Sequence, residues 1–138
     1  DPSVVAGMKG TMPGVDPGTI KSFTDRLLEV DPDLVDFSYG AEAYDAVIIT
    51  ALAALVARST DGADIAAEIN DVTRGGEKCT SFKQCADLIK DDKNIDYDGV
   101  GGAYEFVDAG EPSEASIMIL EFDGSGTIQV ADVIFGKI

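Results

Sequence analysis

The apolar positions of this chain change their period along its length. Ile20, Phe23, Leu27 and Leu28 recur at helical spacing and predict an amphipathic helix through Val30, capped by Thr19 and stopped at Asp31-Pro32. A second helix is expected from about Ala41, within FSYGAEAYDAVIITALAALVAR, residues 37–58. Between Ala46 and Ala57 it carries no charge. A helix apolar all round is expected to be buried on more than one side, so this one reads as the central packing helix, covered by the elements before and after it. It falls short of the roughly 20 apolar residues that a bilayer crossing needs. After an Asp61-Gly62 turn, Ile65, Ala66, Ile69 and Val72 space as a third helix, broken by the run Thr73 to Gly76. Ser81 is the expected N-cap of a fourth helix, with Phe82, Cys85, Leu88 and Ile89 on one face.

Elsewhere the period shortens to two. Val4 to Met12 reads as a strand ending at Pro13, followed by the turn run PGVDPG. IDYDGVGG (95–102) is turn-rich, AYEFVD (103–108) alternates as a strand, and AGEPS is a loop. SIMILEF (116–122), the turn DGSG (123–126) and TIQVADVIF (127–135) predict a hairpin. The fold class is α/β, with more apolar helix than these strands can cover. A sheet partner is therefore expected to be missing.

Charge narrows the function. With 26 acidic and 10 basic side chains the net charge is −16, a surface that repels phosphate backbones and anionic lipid. Nucleic-acid and membrane-surface binding are therefore not expected as main functions. Histidine is absent, which removes the commonest general base and metal ligand. The two cysteines, Cys79 and Cys85, are too few for a zinc site and suggest a small-loop disulfide at the start of the fourth helix. Such a bond implies an oxidising compartment. No signal peptide, lipobox or transmembrane segment is visible. The start at Asp1 rather than Met is read as the loss of an upstream part.

Chemical motifs are sparse. Asn94 to Glu105, NIDYDGVGGAYE, matches the calcium-loop spacing of alternate oxygen ligands, a Gly at the sixth place and a Glu at the twelfth. Asn94 stands where Asp is wanted, Gly101 where an apolar residue is usual, and no helix follows, so a turn before a strand is preferred. No metal or cofactor is expected. The carboxylates show no burial signal, Ser and Thr have no histidine partner, and RGGEK and DGVGG match neither phosphate-binding fingerprint. No catalytic residue is assigned. Tyr39 and Tyr44 flank the start of the second helix, where an aromatic ring serves either a core or a small-molecule cleft.

AGMKGTMPG, SYGAEAYDAVIITALAALVARS, VTRGGEKCTSFKQCADLI, IDYDGVGGAYEFVDAGEP and the terminal hairpin occur in that order. The succession resembles the C-terminal portion of the type I periplasmic binding proteins of ABC transporters, in the leucine/isoleucine/valine-binding branch. It covers nearly all of this chain and about the last two fifths of such a protein. The resemblance implies two Rossmann-like lobes: residues 1–12 ending a strand of lobe 2, 13–113 the helical C-terminal half of lobe 1, and 114–138 a hairpin returning to lobe 2. It also implies a periplasmic or extracellular protein, free or lipid-anchored, that binds a branched-chain or other small amino acid and delivers it to an ABC permease. Lobe closure would then bury the ligand. Tyr39 matches an aromatic wall of the pocket and Tyr44 follows it, while the groups holding the ligand's carboxylate and ammonium would lie upstream of Asp1. A fragment of this kind is expected to form a homo-oligomer or swapped assembly that covers its central helix. Two alternatives are a ligand-sensing or protein-interaction ectodomain of the same fold, and a calcium-stabilised secreted module.

Overall fold

A computed structural model describes residues 1–137 and shows a mixed α/β chain, with four helices and two small sheets among them. Two compact units divide it. Unit 1 joins residues 1–38 to 115–137, and unit 2 is the segment 39–114 between them. The first junction thus falls at Ser38–Tyr39, whereas the sequence reading set a lobe crossing at residues 12–14. The second falls at Glu114–Ala115, beside the residue 113/114 boundary. Ile138 lies outside the described residues.

Unit 1 holds helix α1 (Lys21–Val30) and the strands β1 (Lys9–Pro13), β4 (Glu114–Phe122) and β5 (Ile128–Lys137). The sheet order is β1-β4-β5, with β1 antiparallel to β4 from Lys9↔Glu121 to Pro13↔Ile117. The first strand therefore lies later than Val4–Met12: Pro2–Val5 form a 3-10 turn, which the Asp1 carboxylate caps by accepting from the Ser3 amide. Thr19 does not cap α1. It ends a second 3-10 turn, its hydroxyl donates to the Asp16 carbonyl, and Ile20 stands at the N-cap with no side-chain bond. The expected hairpin is present, its turn drawn together by Asp123, whose Oδ1 accepts from the amides of Ser125 and Thr127. Phe23 and Met118 are buried, but every residue of β5 is exposed.

Unit 2 is built on helix α2 (Gly40–Ala57), with α3 (Gly62–Glu68) and α4 (Phe82–Lys90) packed against it. Asp61 caps α3 and Ser81 caps α4, as the sequence predicts for Ser81. Two three-residue strands, β2 (Glu77–Cys79) and β3 (Ile95–Tyr97), pair in parallel, so α4 is the crossover of a β-α-β unit. The segment 103–108 is not a strand. It makes only single bridges, Asp98↔Ala103 and Phe106↔Pro112, because Glu105 turns to φ 46 and the Phe106 amide donates to the Thr73 hydroxyl.

One expectation for α2 is overturned. The helix buries a single face, Ala41, Asp45, Ile49, Leu52 and Ala53, against elements that both follow it in sequence. Its opposite face is open, with Val47 67% exposed beside Ala46 and Thr50. By length and composition alone α2 would pass for a membrane span. Its 18 residues rise about 27 Å, however, and its buried face bonds through Asp45 to the rest of unit 2.

Candidate functional site

The tyrosines assigned from sequence stand where α2 begins. Tyr39 is the N-cap residue at φ 60, a left-handed conformation unusual for a ring-bearing residue, and its side chain is 52% exposed. Tyr44 is half-buried on the first turns. Tyr44 is close enough to Tyr97 to add slightly to the rise in that phenol's proton affinity, while about half of Tyr39 meets solvent.

Directly after Tyr44 in sequence is a group that sequence reasoning missed. Asp45 is fully buried, and among the described residues no cation pairs with it. Its Oδ1 accepts from the Tyr97 hydroxyl at 2.7 Å and the Val100 amide at 3.0 Å. Its Oδ2 accepts from the Gly101 amide at 2.7 Å and the Tyr104 hydroxyl at 2.8 Å. Four bonds saturate the carboxylate. The loop can close on it only because residue 99 lacks a side chain: a Cβ on Gly99 would collide with the Asp45 carboxyl group. Burial, reinforced by the adjacent carboxylate, raises both phenols well above the ordinary tyrosine value. Both remain donors at any physiological pH. The helical phase held the clue, since Asp45 lies four residues from Ala41 and four from Ile49 on one face.

A second polar cluster occupies the calcium-like segment. Asp96, Asp98 and Glu105, the third, fifth and twelfth places of the template, do converge, but on the Lys78 ammonium at 3.0, 2.9 and 2.8 Å. The cation at the centre is a side chain. Among the described residues, no group of three or more acidic or cysteine side chains is arranged to hold a metal ion. Burial lowers the Lys78 affinity for its proton, yet the bonds to Glu105, Asp98 and Asp96 outweigh it and the net shift is upward. Asp96 behaves oppositely. Only 4% exposed, it is pushed above the usual carboxylate range by burial, which Lys78 does not offset, and its Oδ1 has no partner. The expectation that no carboxylate is buried therefore fails twice, at Asp45 and at Asp96.

Cys79 and Cys85 are joined, with a Cα–Cα distance of 5.4 Å, and both are fully buried. The bond ties β2, next to Lys78, to the first turn of α4. A disulfide of this kind favours an oxidising, extracytoplasmic setting. No family model matches the chain, and no curated protein and no solved structure matches it.

Proposed function

We propose that the chain is the C-terminal portion of an extracytoplasmic solute-binding protein of the type I periplasmic class, non-enzymatic, carrying branched-chain or other small amino acids to an ABC permease. The observation that carries this reading is the discontinuity of unit 1: residues 1–38 and 115–137 cluster with each other although unit 2 separates them in sequence, so the chain passes twice between two bodies. A two-lobed ligand trap needs that connectivity. The β-α-β unit of β2, α4 and β3 and the disulfide agree with it. In this reading Tyr39, exposed and at φ 60, is an aromatic wall of the cleft, and Tyr44 follows it on the first turns of α2. The open face of α2 and the exposed β5 are surfaces that other protein covers, by a second copy when the chain is alone.

Calorimetry on the longer protein that carries this chain tests the reading. Leucine, isoleucine or valine should bind saturably, and Tyr39→Ala should weaken binding about tenfold with little change in melting. No heat with any small amino acid would refute it. The chain by itself is expected to bind no tighter than about 1 μM, since it lacks the ligand's polar anchors. Light scattering should show a dimer or larger species, and a monodisperse monomer would remove the claim that α2 and β5 seek cover.

A further inference from the structure

The chain enters unit 2 at Tyr39 and leaves it at Glu114, and α2 starts directly behind the entry. The segment 98–113 that leads to the exit forms neither helix nor strand. Connections of that length without elements of their own are uncommon, and are usually either functional or disordered. This one is pinned. Asp98 and Glu105 bond to Lys78, the Phe106 amide donates to the Thr73 hydroxyl, and Asp108 bonds to Arg74. Those pins fasten it to β2 and to the residues after α3. A separate set fastens it to α2 through Asp45, from the amides of Val100 and Gly101 and the hydroxyl of Tyr104.

Tyr104 holds both ends of the unit at once. Its hydroxyl donates to Asp45 Oδ2 at 2.8 Å, and its carbonyl accepts from the Ser113 amide at 3.1 Å, one residue before the exit. The entry is fixed to the same helix, since the Ala43 amide donates to the Tyr39 carbonyl at 2.9 Å. The Tyr104 ring is held too, edge-on to Phe106 with ring centres 5.7 Å apart. The Val100 and Gly101 amides lie on the far side of Gly102, which stands at φ 130 where a side chain would meet nothing within 4 Å. A glycine so placed passes little of their grip onward, and the phenol carries it past that point.

We propose that Tyr104 is a positioning residue that locks the entry and the exit of unit 2 to each other, so that the first turn of α2 and the Ser113 segment open together. Each hydrogen bond in the series adds little stability alone. What the series adds is coupling, because fraying at one end removes the support of the other. Nothing in this requires a ligand, so it stands or falls separately from the solute-binding reading.

Amide hydrogen exchange of the full chain, followed by NMR, tests it. Ala43→Gly frays the first turn of α2 from an exposed position and keeps the backbone amide. Alone, it should speed exchange of the Ser113 amide about fivefold. Combined with Tyr104→Phe, it should leave Ser113 at the rate of Tyr104→Phe alone. No change at Ser113 on introducing Ala43→Gly into the parent chain would overturn the proposal. An equal acceleration with and without the phenol would also overturn it, because the ends would then be linked by unfolding of the unit or by another bond. Tyr104→Phe lowers stability in either case, so the dependence on background decides, not the loss itself.

Discussion

Asp45 and Asp96 are both buried carboxylates of unit 2, and the chain treats them in opposite ways. Among the described residues Asp45 has no cation but four neutral donors, two phenols and two backbone amides, which fill its acceptor sites. Asp96 has a cation, but Lys78 is divided among three carboxylates and leaves Oδ1 bare. A buried charge costs what its solvation shell was worth, and that shell is made of many directed bonds. Four dipoles fixed by the fold replace it better than one ammonium on a half-exposed stem. The raised proton affinity of Asp96 records the shortfall.

The largest effect should come from breaking the saturated site. Asp45→Ala removes the shared acceptor, leaving two phenols and two amides without their buried partner, and should cost about 3–5 kcal/mol. Tyr97→Phe and Tyr104→Phe each remove one donor and should cost about 1–2 kcal/mol. Urea unfolding would show this as a lower midpoint with an unchanged slope. A loss below about 1 kcal/mol for Asp45→Ala would mean that the four bonds do not hold the loop.

Next in size is the disulfide. It closes a short loop, so replacing Cys79 and Cys85 by serine should cost about 2 kcal/mol. The comparison predicts where that loss is felt. Cys79 follows Lys78 on β2, whereas Tyr104 reaches Asp45 from the loop beyond β3. Disulfide removal should therefore couple to Lys78→Met by more than about 0.5 kcal/mol and add simply to Tyr104→Phe. Double-mutant cycles by urea unfolding decide it, and strong coupling to Tyr104→Phe would show the two sites to be one network.

Local signals in the sequence predicted only part of this. Ser81 before Phe82 and the DGSG turn are short-range chemistry, and α4 and the β4–β5 hairpin form where that chemistry lies. Cys79 and Cys85 were legible for the same reason. The strands β2 and β3 were not, because three residues are too few to show a period and all of Ile95, Asp96 and Tyr97 are buried. AYEFVD alternates like a strand, yet the positive φ of Glu105 and the long-range bond from Phe106 to Thr73 override it. The acidic convergence was half legible. Spacing brings Asp96, Asp98 and Glu105 together, but nothing near them in sequence announces that Lys78, well upstream, fills the centre.

The smallest effect is also the most diagnostic, because its sign is unusual for an aspartate. Burial raises Asp96 above its ordinary 3.8, so just above that pH the folded chain keeps a proton that the unfolded chain has lost. Stability from this group is then present at low pH and declines as pH rises through the folded value. Asp36, Asp87 and Asp123 are shifted down by their hydrogen bonds, so their contribution is lost only as pH falls below the ordinary range, outside this window. Asp96→Asn should flatten the decline above the ordinary carboxylate value, and Lys78→Met should enlarge it while costing about 1 kcal/mol at neutral pH, a figure kept low because Lys78 is half exposed. Tyr104→Phe removes one donor from Asp45 and should lower the whole melting profile. Thermal melts of the three variants across that range separate the outcomes. If Asp96→Asn and the parent chain run parallel, the bare oxygen of Asp96 does not bind the proton, and the contrast with Asp45 fails at its weaker end.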